Sequence, residues 1–99
     1  MRTLDGQTQV AKIFKALGNE GRLIVLWALS QKDCTVSELA ATTDLSQPLV
    51  SQHLRSLKQV NLVSGNRQGK EVVYSLADHH VAHIVEDAFI HVTEGEHND

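Results

Sequence analysis

Residues 35–76 set out two short helical patterns, parted by a tight polar turn and followed by a hairpin pattern. In Thr35-Val36-Ser37-Glu38 a hydroxyl stands three residues before a glutamate, the spacing of a capping box, ahead of the short run Leu39-Ala40-Ala41. After Thr42-Thr43-Asp44 the chain restarts with Ser46 as N-cap and Pro48 in the first turn, where a missing N–H costs nothing. That helix is predicted to reach Gln59. Leu62-Val63 and Val72-Val73-Tyr74 are β-favouring runs around a polar tip, Gly65-Asn66-Arg67-Gln68-Gly69-Lys70.

The flanking segments read as helices. Val10, Ile13, Phe14 and Leu17 recur at helical intervals until Gly18-Asn19, residues suited to a helix C-terminus. Residues 23–27 are apolar over so wide an arc that the second helix is expected to be largely buried. Asp78 is placed to cap a last helix, which continues through Val81, Ile84, Val85, Ala88 and Phe89 to Gly95. Ninety-nine residues suffice for a single core, so 1–99 is read as one domain. The parts are those of a winged helix-turn-helix, mainly α with a small β-hairpin, in which the second of the two short helices enters the DNA major groove.

Composition narrows the compartment and the chemistry. No apolar run is long enough to span a bilayer, and the first six residues lack the apolar stretch of a secretory signal. The single cysteine, Cys34, cannot form an intramolecular disulfide, which points to the cytoplasm and excludes CxxC zinc ribbons and dithiol redox pairs. We read it as structural. Charge is sharply polarised. Residues 46–76 carry Arg55, Lys58, Arg67 and Lys70 against Glu71 alone, whereas residues 77–99 carry six acids, no Lys or Arg, and five of the six histidines.

In the helix from Ser46, Val50, Leu54 and Leu57 stack on one side at about 100° per residue. Pro48, Gln52, Arg55 and Gln59 project from the other side, with Ser51 on its flank. Gln can pair with an adenine edge, Arg with guanine or phosphate, and Ser with base or backbone. No acid occurs from Ser46 to Gln68, as approach to phosphates requires. His53 sits beside the apolar stripe and is read as a packing or phosphate-contacting residue.

The run Leu45-Ser46-Gln47-Pro48-Leu49-Val50-Ser51-Gln52-His53-Leu54-Arg55-Ser56-Leu57 resembles the recognition-helix signature of the ArsR/SmtB metal-responsive repressors. Phe14-Lys15-Ala16-Leu17-Gly18 and Arg22-Leu23 resemble that family's opening helices, and Arg67-Gln68-Gly69-Lys70 with Tyr74-Ser75-Leu76 its wing. The resemblance runs from Val10 to Glu94. It implies a homodimer built on the first and last helices, an operator read by paired recognition helices, and release of DNA when an effector binds. The residues expected at double-stranded operator DNA are Ser46, Gln47, Ser51, Gln52 and Arg55 with Arg67 and Lys70 of the wing. Glu20-Gly21 departs from the family's Pro-Thr-like pair, and a glycine there should weaken the helix start.

Oxygen and imidazole donors in the acidic segment suit a divalent metal. The informative pattern is Asp78-x-His80, ten residues, then His91-x-x-Glu94. His80 and His91 are about 16 Å apart along a straight helix, too far for one ion with bonds of about 2 Å. Two such helices packed antiparallel about a dyad near Glu86 would bring the first pair of one chain against the second pair of the other, making two symmetric sites. This donor set resembles the C-terminal-helix zinc site of the family's zinc sensors. Zinc is the expected effector, with nickel or cobalt as alternatives if further donors join, His97 being the candidate fifth ligand. His79 and His83 form an additional i, i+4 pair near Asp87. The family's cysteine-rich site has no counterpart in Ser37-Glu38-Leu39-Ala40, which argues against arsenic, cadmium or lead.

Two other functional classes share some of these features. A metal-dependent hydrolase lacks support, because there is no His-Glu-x-x-His helix and four ligands leave no open position for water. A dimeric DNA-binding regulator indifferent to metal would share the fold and differ in its response.

Overall fold

A computed structural model describes residues 3–97, and side chains as far as residue 95. The order is α1 (Gln7–Leu17), α2 (Glu20–Gln31), β1 (Cys34–Thr35), α3 (Val36–Thr43), α4 (Gln47–Gln59), β2 (Val63–Gln68), β3 (Glu71–Leu76) and α5 (His79–His97). The starts of α2, α3, α4 and α5 each have a local cause. Asn19 accepts from the Arg22 N–H at 2.9 Å and starts α2. At α3 the capping box is complete: the Thr35 hydroxyl accepts from the Glu38 N–H at 3.2 Å, and Glu38 Oε1 accepts from the Thr35 N–H at 2.9 Å. That reciprocal bonding, the Thr35 N–H foremost, holds the Glu38 carboxyl below its ordinary range. Ser46 caps α4 and Asp78 caps α5, as expected.

Asp44 and Asn61 take left-handed φ values of 61° and 59°, turning the chain after α3 and α4. Both are among the few side chains that tolerate that region. After Asn61 the Leu62 N–H returns to the Leu57 carbonyl at 3.0 Å, closing the end of α4 and aiming the chain into β2.

The core is built from Val25, Leu26, Ala28 and Leu29 of α2, Leu39 of α3, Val50, Leu54 and Leu57 of α4, Leu62 and Val63 at the root of the wing, and Val81 and Val85 of α5. Helix α2 is central, but it is not buried all round. Ile24 and Trp27 are each 39% exposed. On α1 the apolar stripe likewise splits, Ile13 and Leu17 packing on the core while Val10 and Phe14 stand 49% and 61% exposed. Ile84, Phe89, Ile90 and Val92 of α5 add to this uncovered apolar surface. The expectation of a largely buried second helix holds for Val25, Leu26, Ala28 and Leu29 but not for Ile24 and Trp27: a wide apolar arc requires cover, and one chain supplies only part of it.

The hairpin is longer than the sequence pattern suggested. Strands β2 and β3 pair antiparallel from Val63↔Leu76 to Gln68↔Glu71, so Arg67 and Gln68 lie within a strand and the turn is Gly69-Lys70 alone. Gly69 has φ 65°, at the first position of a two-residue turn, where glycine is free of strain. Gly65 faces Tyr74, and a methyl there would come within 2.9 Å of Val72 Cγ1 and 3.1 Å of Tyr74 Cε1. A short strand absent from the sequence reading, β1, pairs Cys34↔Tyr74 and Thr35↔Val73, giving the order β1-β3-β2.

Candidate nucleic-acid interface and metal centre

Helix α4 presents two contrasting sides. Val50, Leu54 and Leu57 are sealed into the core, and Gln52 and Arg55 are exposed on the opposite side, with Ser51 half-buried between them. Ser46 and Gln47 are exposed at the helix start. The Ser46 hydroxyl accepts from the Leu49 N–H at 3.3 Å, so its oxygen is committed to the cap and its proton points elsewhere. The first turn of α4 carries no acid. Arg67 and Lys70 are exposed on the wing. These side chains offer donors and cations along a surface whose one carboxylate between Ser46 and Leu76 is the exposed Glu71 of the wing, an excess of positive charge that suits approach to a polyanion.

His53 lies on the inner flank of α4 and is buried. Its imidazole occupies a notch left by a glycine: a methyl on Gly21 would stand 2.5 Å from His53 Nε2 and 3.2 Å from Cδ2 and Cε1. Burial, then the nearby Arg22 guanidinium, hold this imidazole below its ordinary pKa. Arg22 itself donates from Nε to the Ala16 carbonyl at 2.8 Å, tying the start of α2 to α1. Of the two sequence readings, packing is what the geometry supports. Cys34 is buried, its Sγ donating to the Lys32 carbonyl at 3.4 Å, and burial raises its pKa. A thiol so placed is a poor nucleophile.

Asp78, His80, His91 and Glu94 are all exposed. Asp78 Oδ1 accepts from the Val81 N–H at 3.1 Å, which fixes the carboxylate at the mouth of α5. Asp78 and His80 share the wall of a groove of about 410 Å³ with Gln9 and Lys12 of α1 and Gln59 and Asn61 at the end of α4. At about 100° per residue, His80, His91 and Glu94 fall within an arc of about 60° on α5. Among the described residues no three potential metal ligands converge within one chain. Carboxylate and imidazole are donors whose chemistry fits a divalent ion, but neither pair forms a complete set within one chain. The side chain of His97, the candidate extra ligand, lies outside the described residues.

Residues 19–64 match the family described as bacterial regulatory protein, arsR family. The chain is 40% identical over 90 residues to the HTH-type transcriptional regulator NmtR of Mycobacterium tuberculosis, covering 89% of this chain and 75% of that one. The chain belongs to the ArsR family. It is also 45% identical over 83 residues to the HTH-type transcriptional repressor SmtB of the same organism, covering 84% of this chain and 62% of SmtB, so it spans less than two thirds of that relative. A homodimeric winged helix-turn-helix DNA-binding domain from Mycobacterium bovis superposes with a TM-score of 0.78 at 32% identity, over 96% of this chain and 90% of that one. The ArsR family and these neighbours are DNA-binding transcriptional regulators and not enzymes.

As a member of the ArsR family the chain has the expected winged fold, with α3 and α4 as the helix-turn-helix and β2 and β3 as the wing. The Gly21 departure from the ArsR pattern has a partner in the fold. Helix α2 starts at Glu20 with Gly21 in its first turn, and the glycine is matched to His53, thirty-two positions away. Nothing local in either segment marks the pairing. No helix among the described residues is long and apolar enough to cross a membrane.

Proposed function

We propose that this chain is a metal-responsive transcriptional repressor that binds operator DNA as a homodimer and is released by zinc held between the two last helices. Residues 1–99 act as a single DNA-binding domain, dimerising through α1 and α5. Ser46, Gln47, Ser51, Gln52 and Arg55 of α4 meet the major groove and its flanking phosphates, while Arg67 and Lys70 meet the backbone beside it. Zinc would be held by Asp78 and His80 of one chain with the partner's His91 and the partner's Glu94, two sites per dimer.

The observation that supports this reading is that four exposed donors, Asp78 at the cap of α5 and His80, His91 and Glu94 along it, form no group of three within one chain. The uncovered apolar residues of α1, α2 and α5 support the dimer, since a surface of Phe14, Trp27, Phe89 and Val92 calls for cover. The relation to a repressor, SmtB, supports the sign of regulation. In this scheme the ion favours one dimer geometry, and the operator favours another. Reciprocity then requires that DNA weaken metal affinity by the factor by which metal weakens DNA affinity. The ligating histidines must be neutral, so acidification weakens sensing.

The test is fluorescence anisotropy on a selected operator at fixed salt, with chelated protein and then with zinc, nickel and cobalt. Tight binding that zinc weakens at one ion per chain supports the reading, and a stronger response to nickel or cobalt reassigns the metal. Tight binding indifferent to every metal would leave a metal-independent regulator and discard the sensor.

A further inference from the structure

Helix α5 carries two histidines that the sensing reading leaves unused. His79 and His83 stand one turn apart, and their rings lie edge to face with centroids 5.8 Å apart and planes at 80°. Both are exposed, and no ion pair among the described residues involves either. The His79 ring also lies 4.0 Å from that of His80, although consecutive residues diverge by about 100° round a helix.

We infer that His79 and His83 form a second metal site, complete within one chain, for a borderline divalent cation of the copper or nickel type. Two imidazoles on one ion, with metal–nitrogen bonds of about 2.0–2.1 Å, place their ring centroids about 5 Å apart. The observed separation is within about 1 Å of that value, a gap that rotation of exposed side chains closes. The i, i+4 spacing supplies the geometry, because side chains one turn apart have neighbouring Cβ atoms and can chelate across the turn.

Coordination chemistry then selects the ion. Asp87, a further turn along, does not group with the pair, so the protein supplies two nitrogens and water completes the shell. A structural zinc site is closed and tetrahedral, whereas tetragonal copper or nickel accepts two imidazoles with water in the other positions. In the ordinary order of divalent affinities copper(II) binds such donors most tightly. Unlike the shared sites, this one does not depend on the dimer.

The test is copper(II) titration of the untagged full chain by calorimetry and electron paramagnetic resonance, with circular dichroism to confirm that each variant is helical. We expect His80→Gln/His91→Gln to retain one copper per chain with a two-nitrogen signature, and the quadruple variant that adds His79→Gln/His83→Gln to lose it. His79→Gln/His83→Gln alone should lose one copper per chain and keep its operator response to zinc. Loss of all copper in His80→Gln/His91→Gln, or equal copper in that variant and the quadruple one, would overturn the assignment. Failure of zinc to release the operator in the wild type would instead count against the sensing reading and leave this one standing.

Discussion

Gly21 and His53 form a lock whose two halves can be separated by substitution. A methyl at Gly21 gains about 1 kcal/mol of helix propensity but drives into the imidazole, and overpacking of this kind costs about 1–3 kcal/mol. Gly21→Ala should therefore be destabilising in the wild type and stabilising by up to about 1 kcal/mol in a His53→Ala background. Urea denaturation at fixed chain concentration reads the cycle, and an unchanged sign in the two backgrounds would contradict the notch. The same imidazole gives a pH dependence. Burial and Arg22 hold its folded pKa below the ordinary value of 6.5, so the unfolded chain binds the extra proton first. Its contribution is fully present above that value and is lost as pH falls through 6.5 toward the folded pKa. Relative to His53→Gln, the chelated wild type should lose stability on acidification in that window; parallel curves would remove His53 as the source. Neither effect was legible in the chain, because a packing partner thirty-two residues away leaves no local signature. The Asp78-x-His80 and His91-x-x-Glu94 pattern could be read from the chain because it is a spacing within two short segments, and its metal-binding role is the proposal that the titrations test.

At the scale of elements, local rules sufficed wherever the cause was local. The capping box at Thr35, the Ser46 cap, Pro48 in the first turn and the Asp78 cap all stand where their neighbours in sequence required. Strand β1 escaped detection because two residues carry no periodicity and their partners, Val73 and Tyr74, lie far along the chain. The wing was underestimated because Arg67 and Gln68 are poor strand formers by composition, yet the two-residue turn at Gly69-Lys70 forces them into register with Val72 and Glu71. The two faces of α4 make a separable prediction. Arg55→Ala and Gln52→Ala should each weaken operator binding by about 1–3 kcal/mol, with thermal stability little changed because both side chains are exposed. Anisotropy titrations check the first part and calorimetric melting the second; unaltered affinity in both variants would remove α4 as the reading element.

Considered whole, one chain leaves Val10, Phe14, Trp27, Phe89, Ile90 and Val92 without cover, as the proposed dimer requires. The exposed Trp27 and Phe14 could not be foreseen from a single helix, since an apolar arc does not say which molecule will cover it. The proposed sensing sites have the same property, and it yields a sharp expectation. A His80→Ala chain and a His91→Ala chain each lack both sites as homodimers. In a mixed dimer one site loses both histidines and the other keeps all four donors. Mixing the two variants should therefore restore zinc binding to a portion of the dimers, up to one ion in each mixed pair, as measured by equilibrium dialysis. No recovery on mixing would rule out the shared arrangement.

Strand β1 stitches the loop ahead of α3 to the middle strand of the wing, while Leu62 and Val63 root that wing in the core beneath α4. Helix and wing are thus tied into one body, and in the proposed dimer they serve as the jaws of a pair of callipers. Whatever acts on such a tool can set only the gap between one jaw and its twin. An operator would read the state of this protein as a length, and the spacing between its half-sites would be the graduation against which that length is measured.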